Sequence, residues 1–396
     1  MQHDIYVAGA GMTTFGKQLE RGLRSLAEEA VRDALADAGA GPEVVDHVFF
    51  ANAVAGLITG QACVPGQVAL RHTGLLGIPI VNVENACASG STAFGLACTQ
   101  LMAGTADVVM VVGAEKLSHA DKARSFAAFS AGYDQEEPPS AAPPAVEGAP
   151  TRSVFMDVYA QMAHQYMARS GAVAEDFAQV AVKAHRHGAL NPKAQYGDPL
   201  TVDGVLGSRT IVDPLTLMMC SPLSDGAAAL VLANERGLKR LNADPVRVLA
   251  ATLVSGRDRT NGDRTAVERA ARDAYEVAGV AAADIDVIEL HDAAAPAELI
   301  VSEELGLCEP GGGPELLRSG ATTIGGRVPI NPSGGLLSKG HPVGATGCAQ
   351  IVELVDQLRG RCGGRQVEGA KIALAENGGG YLENDAAVAT VTILAR

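Results

Sequence analysis

The chain has no tryptophan, and aromatic residues make up only 4% of its 396 residues. A β-sandwich built round stacked rings is therefore a poor fit. The 46 glycines point instead to tight turns and elements packed at close range. Long apolar runs are also missing: stretches such as 108–112 and 227–233 fall far short of a bilayer span. No basic segment followed by an apolar one opens the chain, so no signal peptide is expected. The final Leu-Ala-Arg is no peroxisomal address. Cysteines number seven, an odd count, and no Cys-x-x-Cys occurs. That argues against a disulfide framework or a zinc knuckle, so no metal site is expected. A reducing, cytoplasmic setting is the expectation. Positive charge is scarce, with 31 Lys and Arg against 45 Asp and Glu and a net charge of −14. This excludes a general nucleic-acid or anionic-membrane surface, yet leaves room for a local basic pocket.

What is present begins with Asn-Ala-Cys-Ala-Ser-Gly at 85–90. Cys87 lies between a strand-like stretch (78–83) and a helix-like one (91–102). A thiol at such a corner meets unpaired backbone N–H groups, which favour the thiolate and can hold an oxyanion. By itself the hexapeptide fits a small core cysteine equally well.

A repeat runs at an offset of 240 residues. Glu-Glu-Ala-Val-Arg-Asp-Ala-Leu-Ala-Asp-Ala-Gly (28–39) matches Glu-Arg-Ala-Ala-Arg-Asp-Ala-Tyr-Glu-Val-Ala-Gly (268–279). Each copy is followed by an acid, Asp46 or Asp286, and then a short apolar run. Helix, glycine stop, loop and buried strand are predicted twice. Two copies of an α/β layer unit follow, with helix-like 345–358 and strand-like 370–375 matching 91–102 and 106–113. The expected organisation is an N-terminal half (1–116 plus 205–240), an inserted loop subdomain (117–204) and a C-terminal half (241–396). A proline-rich run at 138–144 reads as a loop inside the insertion.

Three further segments carry chemistry. Residues 331–347, Asn-Pro-Ser-Gly-Gly-Leu-Leu-Ser-Lys-Gly-His-Pro-Val-Gly-Ala-Thr-Gly, hold His341 in a rigid loop before a helix, where it can serve a thiol as a base. His291-Asp292-Ala293-Ala294 stands at a predicted strand end, a usual place for function in α/β folds. Glu376-Asn-Gly-Gly-Gly follows another strand, and Glu376 reads as either a buried general base or a solvated turn acid. Gly9-Ala10-Gly11 hints at a dinucleotide loop but lacks its third glycine.

Taken in this order, these motifs resemble the thiolase superfamily over nearly the whole chain. They are most similar to the sterol-carrier-protein type, with support from Gly188-Ala-Leu-Asn-Pro192 and Ser224-Asp-Gly-Ala-Ala228. The resemblance implies a duplicated α/β fold, five-layered α/β/α/β/α. It implies Cys87 as acyl-accepting nucleophile and His341 as its activator. His291 stands where relatives place a His or a water-holding Asn. The N–H groups of Cys87 and Gly378 would form an oxyanion hole, and Ser224, Ala294, Asn331 and Ser333 would lie near substrate or coenzyme A. CoA or acyl-CoA is the implied substrate, with no tightly bound cofactor. A homodimer or dimer of dimers is implied, and some relatives work with a small zinc-ribbon/OB-fold partner. Two departures stand out: Glu376 where a second Cys or a His is usual, and Ala293-Ala294 where Cys-Phe is usual. They leave three readings open. These are thiolysis or Claisen condensation of a 3-oxoacyl-CoA, a partner-dependent acylase or C–C lyase, and a silent acyl-CoA or lipid binder.

Overall fold

The computed structural model describes residues 4–138, 140, 152–260 and 262–396. Most of the proline-rich run predicted as a loop, including Pro139 and 141–144, lies outside the described residues.

The strands in chain order are β1 (Ile5–Met12), β2 (His47–Ala51), β3 (Ile80–Val83), β4 (Val108–Glu115), β5 (Thr210–Val212) and β6 (Leu215–Thr216). They continue with β7 (Gly226–Asn234), β8 (Val246–Ser255), β9 (Val287–Glu289), β10 (Ile372–Gly379) and β11 (Val388–Ala395). Nine of them form one sheet in the order β3-β2-β4-β7-β1-β8-β11-β10-β9, while β5 and β6 make a separate ribbon. The two halves join where β1 and β8 pair over only Ile5–Val7 and Val246–Val248.

The helices that matter are α1 (Leu23–Asp37), α2 (Ser89–Met102), α3 (Lys122–Ala128), α4 (Phe155–Ser170), α5 (Ala174–Gly188), α6 (Ala266–Ala278), α7 (Ala295–Glu304) and α8 (Thr346–Leu358). Strand alternation sorts the core into layers. Val108, Met110 and Val112 of β4 face α1, while Val109 and Val111 face α2 and α8. In the other half Ala373 and Ala375 of β10 face the same two central helices, and Leu374 faces α6. Helix, sheet, helix pair, sheet and helix therefore follow in order, giving the five layers of a duplicated α/β/α/β/α fold.

The repeat serves the same ends in both halves. Asp46 Oδ2 accepts the N–H groups of Asp107 and Val108 at 2.9 Å each. Asp286 Oδ2 accepts those of Lys371 and Ile372 at 2.8 and 2.9 Å. Val48 donates to Pro79 O, and Ile288 to Pro329 O. In the second half the counterpart of β3 shrinks to a single bridge between Ile288 and Ile330. Gly9 and Gly11 are explained by packing, since a Cβ at either would fall 2.3–2.5 Å from the α1 backbone.

The two central helices touch through glycines. A Cβ on Gly90 would come within 2.9 Å of Cys348 N, and one on Gly347 within 2.4 Å of Ser91 N. This contact brings the N-terminal ends of α2 and α8 together, with Cys87 just before one and His341 just before the other. Between the halves, α4 and α5 form a covering unit with its own apolar core around Tyr166, Phe177 and Leu215. Among the described residues no helix is long and apolar enough to cross a membrane.

Candidate active site

Cys87 sits in a single turn, Ala86–Ala88, between β3 and α2. Ala86 before it takes φ of +49°, a left-handed conformation that costs an alanine about 1–2 kcal/mol. Three neighbours hold the turn: Ala86 N–H donates to Glu84, Asn85 N–H to Ser89 Oγ, and Ser89 Oγ to Ala86 O. The chain is thereby bent so that the thiol faces a cavity rather than the core.

His341 reaches the same point from the other half. Its backbone N–H donates to Ser224 Oγ at 3.0 Å, and its Nδ1 pairs with Thr346 Oγ1 at 2.7 Å. Both contacts fix the ring and leave Nε2 for the cavity. His291 comes from the end of β9, with its buried Nε2 unpartnered. The two rings meet edge to face, centroids 5.1 Å apart. The Cys87 sulfur and one nitrogen of each imidazole all lie within 4.8 Å of one another.

The electrostatics correct one expectation. A helix start does not make Cys87 a standing thiolate. Burial pushes its thiol up to about 12, and the Glu115 carboxylate adds to this. The amides of Cys87 itself and of Gly380 oppose the rise but do not win. Burial likewise lowers His291 to about 4, and burial together with His291 holds His341 well below its ordinary value. The resting site is neutral: thiol and imidazoles rather than thiolate and imidazolium.

Residues 5–236 match the family described as thiolase, N-terminal domain, and residues 251–396 the one described as thiolase C-terminal domain-like. The chain belongs to the thiolase family. It is 39% identical over 393 residues to human sterol carrier protein 2, covering 94% of this chain and 69% of that protein. It is 38% identical over 384 residues to an acetyl-CoA acetyltransferase of Methanothermobacter thermautotrophicus, covering 95% and 96%. It is 37% identical over 377 residues to the benzoylsuccinyl-CoA thiolase subunit BbsB of Thauera aromatica, covering 93% and 92%. Among solved structures, an Ltp2–ChsH2(DUF35) aldolase matches with a TM-score of 0.79 at 27% identity, covering 100% of this chain and 98% of that one. Human mitochondrial 3-ketoacyl-CoA thiolase shares the fold, with a TM-score of 0.69 at 20% identity over 99% and 98% of the two chains. This thiolase is a CoA-dependent acyltransferase, in line with its family and relatives.

The cavity over Cys87 has a volume of about 410 Å³. Its inner wall is Cys87, His291, His341 and Gly378–Gly380, and its lid is apolar, from Phe126 and Phe129 to Phe155 and Met162. Lys17, Lys122, Arg152 and Arg209 also line it, forming a basic patch on an otherwise acidic chain.

Several residues stand elsewhere than the sequence suggested. Ala294 is fully buried among the apolar side chains of the covering unit, and Ala293 lines the cavity instead. Asp292 N–H donates to Leu290 O, turning the chain at His291, and beyond β9 His291 and Ala293 line the cavity while Asp292 and Ala294 do not. Ser224 is buried and holds the His341 backbone and Gln195 rather than lining the cavity. Asn331 and Ser333 are both fully buried. Asn331 Oδ1 accepts from Leu290 N–H, and Ser333 Oγ donates to Glu289, which also pairs with Lys339. These contacts tie the glycine-rich loop to β9. Gly378 lines the cavity, but the amide that reaches the Cys87 sulfur is that of Gly380.

Glu376 is 1% exposed, which removes the solvated-acid reading. Burial raises its carboxyl to about 7, against one N–H donor, that of His291. It stands behind His291 and does not line the cavity. Sequence reasoning missed Glu115, which ties the loop after β2 to the turn before α8 by accepting the N–H groups of Ala53 and Gly344 at 3.0 and 2.9 Å. An acid closing the otherwise apolar run of β4 was the available signal. It also missed Tyr159, for which helix periodicity gave no sign.

Proposed function

We propose that this thiolase carries the acyl group of a 3-oxoacyl-CoA on Cys87 and exchanges it between CoA and a carbon nucleophile. The observation that carries the reading is the convergence of the Cys87 sulfur and the two imidazoles within 4.8 Å. With the site neutral at rest, the thiol proton passes to His341 as sulfur attacks the 3-oxo carbon. The amides of Cys87 and Gly380 hold the resulting oxyanion. The C2–C3 bond then breaks, its electron pair goes to C2, and C2 takes up a proton. CoA thiol next attacks the Cys87 thioester and returns the enzyme; condensation is the reverse. His291 handles the C2 proton. Glu376, with a proton affinity near neutrality, acts through the His291 segment that it holds. The basic patch of Lys17, Lys122 and Arg209 suits the phosphates of CoA.

Mass spectrometry of the protein after incubation with acetyl-CoA tests this reading. Acetyl on Cys87, absent in Cys87→Ala, is expected. Turnover by Cys87→Ala would overturn it.

A homodimer is part of the proposal. β3 ends the sheet and pairs only with β2, and its Val81 is 41% exposed. Such a bare edge favours pairing with a second copy. A second functional reading is a C–C lyase that needs a small partner protein. It is favoured by the likeness to an aldolase of two named components and to a thiolase subunit. Activity appearing only on co-expression with such a partner would select it. Full activity of the isolated chain would remove it.

A further inference from the structure

We propose that Tyr159 selects the acyl group, its phenol O–H donating a hydrogen bond to an oxygen that the acyl chain carries beyond its thioester carbonyl. This rests on the reading of Cys87 as the acyl carrier and names the class of acyl group: one with a second oxygen function rather than a plain hydrocarbon.

Tyr159 projects from α4. Phe155, Met156, Val158, Tyr159 and Met162 line the cavity from the first two turns of that helix. The other four are apolar, so Tyr159 is the polar point in this stripe. Its hydroxyl has no hydrogen-bond partner among the described residues. Two other tyrosines differ: Tyr166, two turns on in the same helix, bonds Glu303, and Tyr275 donates to Leu305 O at 2.9 Å. Nor is the Tyr159 hydroxyl sealed in the core, for it opens on the cavity beside Cys87.

The groups facing it keep it a donor. Burial raises its proton affinity most, and Cys87, Glu376, Asp292 and Tyr381 each add to the rise. Tyr159 therefore stays a neutral phenol across the working range. In the proposed mechanism the thioester carbonyl on Cys87 has its own donors, the amides of Cys87 and Gly380, both of which favour negative charge at the Cys87 sulfur. An acyl chain with only hydrogens at this place would strip water from the phenol and leave it unpaired. A chain with an oxygen there would satisfy it. Sites of this kind reject the analogue that lacks the polar atom.

The test compares kcat/KM for two 3-oxoacyl-CoA substrates of equal length, one with a further carbonyl or carboxylate on the chain and one without. The wild-type enzyme is expected to favour the oxygenated substrate about 10-fold to 100-fold. In Tyr159→Phe that ratio should collapse towards one, mainly by loss on the oxygenated substrate. Tyr159→Gln, which restores a donor, should recover part of it. A wild-type ratio near one, or an unchanged ratio in Tyr159→Phe, would overturn the proposal. So would an equal loss on both substrates. Cys87 acylation by acetyl-CoA is followed in parallel, and its absence from the wild type would instead overturn the carrier reading.

Discussion

The backbone N–H of His291 donates to Glu376 Oε2 at 2.9 Å, so the end of β9 is registered against a buried carboxyl on β10. The two strands are parallel neighbours, with Ala375 opposite Glu289. Glu376 thus sits where it sets the position of a residue whose imidazole Nε2 has no partner among the described residues.

Replacing Glu376 should separate two steps. Glu376→Gln keeps an acceptor for the His291 N–H but removes the titrating group. Exchange of the C2 protons of acetyl-CoA into heavy water, read by NMR, should fall about 100-fold. Acetylation of Cys87 should persist.

The same carboxyl links stability to pH. Its proton is held more tightly in the folded chain, at about 7, than at the ordinary 4.5. That stabilising effect is complete below pH 4.5 and is lost as pH rises through about 7. The loss amounts to about 3 kcal/mol by pH 8. Wild-type and Glu376→Gln melting temperatures, measured at pH 5 and pH 8, should shift in the variant's favour at the higher pH.

Thr346 holds the His341 ring through Nδ1. Thr346→Val removes that hold at nearly constant volume. Single-turnover acylation should slow roughly 10-fold to 100-fold, with KM little changed. Rescue by Thr346→Ser would show that the hydroxyl is what counts.

Cys87 should be a slow thiol in the free enzyme. Its thiol lies at about 12, whereas Cys63 is exposed. Peptide-resolved mass spectrometry with iodoacetamide should find Cys63 modified first at pH 7.5. Labelling of Cys87 should climb about tenfold per pH unit up to pH 10, without a plateau.

Sulfur and two imidazole nitrogens within 4.8 Å are also a donor set that zinc accepts. Micromolar Zn²⁺ should inhibit reversibly and compete with acyl-CoA. Inhibition should be stronger at pH 8 than at pH 6.5, because the thiol must lose its proton to bind. Isothermal titration should find weaker binding in Cys87→Ser.

The duplicated fold was legible because each copy spells the same devices in order. Asp46 and Asp286, both after a helix and a glycine stop, cap the neighbouring strands β4 and β10 alike. The chemistry-bearing motifs were legible because a left-handed turn, glycine loops and a histidine before proline leave few sequence solutions. What failed was phase and distance. Choosing Ala293 over Ala294 needs the facing of the turn after β9, which His-Asp-Ala-Ala does not reveal. Ser224, Asn331 and Ser333 have side chains that suit substrate, yet they bind the backbone and Glu289. The thiolate was expected from local amides, but burial and Glu115, 28 residues away in sequence, decide the outcome. Tyr159 faces the site only because α4 folds over it.

Gly90 and Gly347 let α2 and α8 touch, and that contact lies between the halves of one chain. The nucleophile belongs to one side and both imidazoles to the other, so each side alone is chemically mute. A polypeptide severed between β7 and β8 would behave as an obligate pair. Its reaction rate would scale with the product of the two fragment concentrations, and a methyl group added at either glycine would weaken the pairing before it touched the chemistry.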